Sequence, residues 1–204
     1  MARVSILRGL IVSTDRLCET RWLHRVLDCL STAGRVRSPS GLAELRDQLS
    51  ALVNDQDTPR AEAFASEGDR FRRHPLATVN SQGYSALLMY WPAGYATLPH
   101  DHDGLWGIEV VIDGRLDIDE YVKSGQAERP ALTLARSFQL EAGQATMFTS
   151  EQYVHRCRNR SNVAPTLTLH VYSGQLDAYT NFEHDGAGRV TPLRRTAVND
   201  RLLS

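Results

Sequence analysis

Lysine is almost missing from this chain of 204 residues, which has one, Lys123, among 23 basic side chains. Nothing in the sequence explains that bias. The chain also lacks a charge excess of either sign, since those 23 basic residues face 24 acidic ones for a net charge of −1. That balance argues against a nucleic-acid partner, because phosphate contacts normally leave a protein basic. Cysteine is scarce: Cys18, Cys29 and Cys157 are too few and too scattered for a disulfide framework. No apolar run reaches the ~18 residues of a membrane span, and there is no internal repeat or low-complexity stretch. Residues 1–15 hold only short apolar clusters with no small-residue cleavage pattern, so no secretory leader is expected and the cytoplasm is the expected compartment. What the chain does have is 42% hydrophobic residues, ample for a core in one compact domain, and seven unevenly placed histidines.

The texture changes near residue 70. Before it, Leu23, Val26, Leu27 and Leu30 follow helical spacing, as do Leu42, Leu45, Leu49 and Leu52. Gly34 and Ser38-Pro39 separate the two runs, Ser40 offers an N-cap with Glu44 in the next turn, and a third short helix is predicted over Arg60 to Ser66. Residues 1–70 therefore read as a helical segment packed on the remainder of the chain. From Phe71 onward the pattern is that of strands, at Tyr84–Trp91, Trp106–Ile112, Leu116–Val122, Thr146–Phe148, Tyr153–Cys157 and Thr166–Tyr172. Asp113-Gly114 is a hairpin signal. Short strands with frequent turns predict a mainly β fold, a double-sheet jelly-roll barrel over residues 71–184. Residues 185–204 are polar and read as an irregular tail.

His100 and His102 stand two apart, so on an extended strand both imidazoles project to one side, an arrangement suited to a first-row divalent metal. His155, on a later strand, supplies a third ligand. Thr168, His170 and Tyr172 likewise alternate along one strand and form a hydrogen-bond relay of hydroxyl, imidazole and phenol.

Gly94-x5-His100-x-His102 followed by Gly114 resembles the first motif of the cupin superfamily, and His155-x3-Asn159 resembles the second. The resemblance implies a small jelly-roll barrel with a metal at its mouth. The usual acidic ligand is replaced around Leu105, Trp106 and Gly107, which favours a three-histidine site with Glu109 as a candidate fourth ligand. The Pro and Gly expected before the third histidine are replaced by Thr149 and Glu151. The histidines and the relay together resemble the thiol dioxygenases, cysteine dioxygenase in particular, over Phe71 to Glu183, with Thr168 in place of the family's Ser.

That resemblance implies iron(II) on His100, His102 and His155, Tyr172 donating to oxygen or substrate, and His170 and Thr168 behind it. The animal enzymes carry a Cys cross-linked to the relay Tyr at the position of Gly107, and many bacterial relatives have Gly there. The cysteine-specific members clamp the substrate carboxylate with an upstream Arg. Arg73, in Phe71-Arg-Arg-His74, falls there with a one-residue insertion, and His74 without it. Members preferring 3-mercaptopropionate place an Arg shortly after the relay Tyr, where this chain reads Asp177-Ala-Tyr-Thr-Asn181. The implied reaction adds both atoms of O2 to a small-molecule thiol, cysteine or a close mercapto-carboxylate, to give a sulfinate. 3-Mercaptopropionate, mercaptosuccinate, a non-catalytic metal- or ligand-binding module and another divalent metal remain alternatives. Cys157 shares the face of His155, whereas Cys29, His24 and His184 read as packing or surface residues and Trp91 and Trp106 as core or pocket-wall residues. Nothing in the sequence fixes an oligomeric state.

Overall fold

The computed structural model describes residues 21–32, 36, 38–54, 57–67, 70–77, 83–149, 152–185 and 189–200. The expectations resting on residues 1–15, Cys18, Gly34 and Glu151 lie outside them. Two helices come first, α1 (Arg21–Thr32) and α2 (Pro39–Ala51), then a 3-10 helix at Ala61–Glu67 where a third helix is predicted. The N-cap of α2 is Ser38 rather than Ser40: Pro39 fills the first helical position, where its missing N–H costs nothing, and Ser38 Oγ accepts from the Gly41 N–H at 3.2 Å.

Ten antiparallel strands complete the described chain. A five-stranded sheet has the order β1 (Arg72–Ala77), β2 (Ser85–Trp91), β8 (Thr166–Tyr172), β3 (Gly107–Asp113), β6 (Ala145–Phe148). Facing it are a three-stranded sheet, β5 (Arg129–Glu141), β4 (Arg115–Gln126), β7 (Val154–Arg158), and the ribbon β9 (Ala178–His184) with β10 (Val190–Thr196). The segment from Ala96 to His100 bridges β7 and β9. This is the mainly β jelly roll expected from the strand pattern.

Three features differ from the sequence reading. Asp113-Gly114 turns the chain from one sheet into the other instead of closing a hairpin. Gly114 has φ +84°, and any Cβ there would stand 2.8 Å from Thr166 Oγ1. The Asp113 carboxylate accepts from Ala61 N–H at 2.9 Å and so ties the 3-10 helix to this corner. Residues 185–204 are not simply irregular, since β10 pairs with β9 over seven positions. Strands β1, β5 and β9 also lie where the sequence pattern predicts none.

The five-stranded sheet is buried on both faces, so β2 and β8 read as unbroken buried runs. One face carries Ala86, Leu88, Tyr90, Ile108, Val110, Leu167, Leu169 and Val171, which meet Trp22, Leu23, Val26, Leu30, Leu42, Leu45 and Leu49 of the helices. The other face lines the barrel with Leu87, Met89, Trp91, Val111 and Tyr172. The helices thus shield the outer wall, which leaves the inner wall free to carry polar groups.

Candidate metal centre

Backbone pairing brings the first two imidazoles together. His100 N–H donates to His155 O at 2.8 Å and His155 N–H donates to His100 O at 3.0 Å. Directly paired residues present their side chains to the same face, and the ring centroids stand 4.6 Å apart. His102 lies two residues beyond His100, its ring 5.1 Å from that of His100 and 4.8 Å from that of His155. One nitrogen of each imidazole lies within 4.8 Å of the others. The two aspartates of the same run face away and hold it down. Thr180 N–H donates to Asp101 Oδ1 at 2.8 Å, and Arg194 of β10 grips Asp103 with two bonds of 2.6 and 2.7 Å.

The tautomers of two rings are set by their partners. His100 Nδ1 faces Leu98 O at 2.9 Å, and a carbonyl only accepts, so that nitrogen carries the proton. Tyr153 OH donates to Glu120 Oε1 at 3.1 Å, so towards His155 Nδ1, 3.3 Å away, the phenol oxygen accepts. Both Nε2 atoms are then unprotonated, and they face each other at 3.3 Å. Two lone pairs so placed repel unless a cation lies between them, and metal–nitrogen bonds of ~2.1 Å set neighbouring ligand atoms ~3 Å apart. The three histidines therefore fit a divalent metal. Burial holds all three pKa values below the ordinary range, with the neighbouring imidazoles adding to the effect at His102 and His155. They are the neutral donors a metal requires.

Beside this trio stands the relay. Strand β8 turns Thr168, His170 and Tyr172 inward while Leu167, Leu169 and Val171 face the helices. Thr168 Oγ1 lies 2.8 Å from His170 Nε2, and His170 Nδ1 lies 3.2 Å from Tyr172 OH. Trp91 Nε1–H donates to Thr168 Oγ1 at 2.8 Å, so a residue expected in the core or the pocket wall is also a fourth member of the relay. Thr168 Oγ1 also donates towards Met89 O at 3.5 Å, and the direction of the Thr168–His170 bond follows the His170 tautomer. With Nδ1 protonated, His170 donates to the Tyr172 oxygen and the phenol proton is left for the cavity. Burial, with the charge of Arg73 next, lowers the His170 pKa to about 3, and burial raises that of Tyr172, so both are neutral.

His100, His155, His170 and Tyr172 line one cavity of about 430 Å³ whose wall also includes Phe71, Arg73, Met89, Trp91, Tyr95 and Leu176. Arg73 is only 8% exposed, and its Nε and Nη2 have no hydrogen-bond partner among the described residues. Strand alternation sends His74 to the opposite face, where it packs on Phe64 at 5.6 Å between rings, so it is not a cavity residue. Phe71 stacks flat on Tyr95 at 4.8 Å and forms an apolar wall. The C-terminal segment contributes as well: Asp200 exchanges two hydrogen bonds with the Arg73 backbone, and Thr196 and Val198 line the cavity.

Glu109 lies opposite His170 in the β3–β8 register, with Oε1 3.5 Å from both His155 Nε2 and His170 Nδ1. Neither carboxyl oxygen has a hydrogen-bond partner among the described residues. Burial, with the charge of Glu120 next, pushes its pKa up to about 8. Glu109, His155 and Cys157 form a second ligand-competent cluster that shares His155. Trp106 stays on the outer side, packed near Tyr84, and His24 and His184 are exposed.

A jelly-roll barrel with three convergent neutral imidazoles beside a cavity defines a cupin whose histidine triad could hold a metal. The family model for cysteine dioxygenase type I matches residues 32–185, and the chain belongs to that family. A comparison with curated proteins finds no match. Among solved structures, the chain is similar to an oxalate oxidase in complex with glycolate, at 17% identity and a TM-score of 0.43 over 54% of each chain. It is also similar to KdgF from a Halomonas species (17% identity, TM-score 0.40, 52% of this chain and 81% of that one). A third is the DMSP lyase DddQ from Ruegeria pomeroyi (21% identity, TM-score 0.39, 55% of this chain and 51% of that one). Among the described residues no helix is long and apolar enough to cross a membrane.

Proposed function

We propose that this protein is an iron(II)-dependent thiol dioxygenase that oxidises L-cysteine, or a close mercapto-carboxylate, with O2 to the sulfinate. The observation that carries the reading is the buried Arg73 guanidinium, whose Nε and Nη2 have no hydrogen-bond partner among the described residues, on the same cavity as His100, His155 and Tyr172. A buried cation without a partner is costly, and a substrate carboxylate gripped by two N–H donors would satisfy it. His100, His102 and His155 would hold the metal. When bound, iron(II) supplies the positive charge that favours a thiolate and the redox chemistry that carries both oxygen atoms to sulfur. Tyr172 offers its proton to oxygen developing negative charge, with His170, Thr168 and Trp91 keeping that proton aimed inward. Phe71, Trp91 and Tyr95 exclude water from the thiol. Cys29 and Cys157, which form no disulfide among the described residues, suit a reducing cytoplasm.

Oxygen consumption by the iron-loaded protein with cysteine, 3-mercaptopropionate, mercaptosuccinate and cysteamine tests the reading. One O2 consumed per sulfinate formed, with the carboxylated thiols preferred, is expected; no uptake with any thiol overturns it. The cavity exceeds what cysteine needs, which is why the longer acids belong on the panel. Tyr172→Phe is expected to lower turnover roughly 10-fold or more while leaving metal content unchanged, as read by rate and metal analysis together. An unaltered rate removes Tyr172 from the mechanism.

A further inference from the structure

One row of paired residues crosses the smaller sheet behind the metal centre. His155 of β7 pairs with Glu120 of β4, and Glu120 pairs with Arg136 of β5. Their side chains are joined through Tyr153, which precedes His155 by two residues and so shares its face. Arg136 donates to the two Glu120 oxygens at 2.5 and 2.9 Å. Glu120 Oε1 takes the Tyr153 proton, and the Tyr153 oxygen faces His155 Nδ1. The only other polar neighbour of Nδ1 among the described residues is the Cys157 thiol at 3.6 Å, a weak partner in either direction.

The same tyrosine braces a second ligand. Its ring lies flat on Phe148, with centroids 4.4 Å apart and planes 5° from parallel, and Phe148 lies on the His102 ring at 4.3 Å. His102 Nδ1 has no hydrogen-bond partner among the described residues, so this stack takes the place of the usual polar tether. Gly107 makes the stack possible, since a Cβ at that position would stand 2.3 Å from Phe148 Cζ.

We propose that Tyr153 is a positioning residue for the metal centre. Its hydroxyl, polarised by Glu120 and Arg136, fixes the His155 tautomer with Nε2 free to bind metal, while its ring holds His102 through Phe148. Arg136 is exposed while the Glu120 side chain is only 13% exposed; the work of this pair is to commit the phenol proton to Glu120. With that proton committed, the phenol oxygen can only accept from His155. The inference rests on the three-histidine metal reading proposed for this site.

Tyr153→Phe removes the hydroxyl and keeps the stack, and Glu120→Gln keeps an oxygen that can accept the phenol proton. In metal-free protein with 15N-labelled histidine, two-bond 1H–15N spectra are expected to show His155 as the Nδ1–H tautomer in the wild type. Y153F is expected to shift it toward Nε2–H, and E120Q to retain the wild-type form. Anaerobic titration with cobalt(II) should show Y153F weakened roughly 10- to 100-fold and E120Q close to wild type. An unchanged tautomer or an unchanged cobalt affinity in Y153F overturns the proposal, as does a wild-type His155 already protonated at Nε2. A wild type that binds no cobalt overturns the metal reading instead, and the spectra still report the tautomer. Thermal melts of each variant separate these effects from misfolding.

Discussion

At the scale of single residues, the site is built by pairing each chemical group with a partner that has only one way to respond. Leu98 O can only accept, Trp91 Nε1 can only donate, and these two fixed ends orient His100 and the relay. Arg73 departs from this, as Glu109 and His102 Nδ1 do: its buried Nε and Nη2 have no acceptor among the described residues. Arg73→Met is therefore expected to raise KM for carboxylated thiols roughly 10- to 100-fold, the worth of a charged hydrogen-bond pair at about 1.5–3 kcal/mol. The same variant should leave the kinetics of an uncharged thiol such as cysteamine nearly unaltered. Steady-state kinetics with both substrate types check this, and an equal loss on both would remove Arg73 from carboxylate binding. The spacing rule that singles out His100/His102 and Thr168/His170/Tyr172 applies equally to Tyr153 and His155. Tyr153 is not legible by that rule alone, because a tyrosine in a strand looks like packing until its hydroxyl partner on another strand is known.

At the scale of elements, the strands legible in the sequence are those with a buried face. Strands β2, β3 and β8 are buried along nearly their whole length because helices cover one side and the barrel interior the other. Strand β5 is exposed at most of its 13 positions, and β10 contains Pro192, Arg194 and Arg195. Strand β5 does alternate Leu132, Leu134, Phe138 and Leu140 with smaller or polar residues, whereas β10 has no hydrophobic period and is held by backbone pairing with β9, which leaves no mark on side-chain choice. The helical segment is legible through its leucines, and its role is mechanical: it covers the outer wall of the sheet whose inner wall bears the relay. Leu45→Ala in α2, a residue 1% exposed, is expected to cost ~2–5 kcal/mol in denaturant unfolding. Metal content per folded molecule should not change. A loss of metal in the folded fraction would mean that the helices shape the centre directly.

At the scale of the whole molecule, burial of so many titratable groups makes stability depend on pH in two opposing ways. His100, His102, His155 and His170 are held neutral with pKa values below their ordinary 6.5, so in metal-free protein the unfolded chain binds protons first as pH falls. Their contribution is present above 6.5 and is lost as pH drops below it. Glu109 works the other way, because its folded pKa of about 8 against an ordinary 4.5 makes stability fall as pH rises from 4.5 to 8. Between 4.5 and 6.5 the four imidazoles outweigh the single carboxyl, and each net proton is worth ~1.4 kcal/mol per pH unit. Calorimetry of metal-free protein should therefore find the highest melting temperature near pH ~6.5–7. Glu109→Gln should flatten the decline above neutrality, and a maximum below about pH 5 would contradict the neutral-imidazole core. The close fit of Phe148 against Gly107 also bears on how this centre can change over time. Position 107 pairs directly with Tyr172, the place from which a cysteine would reach the phenol, yet the Phe148 ring occupies the space its Cβ needs. A cysteine at position 107 therefore requires the Phe148 ring to move, and with it the support that ring gives His102.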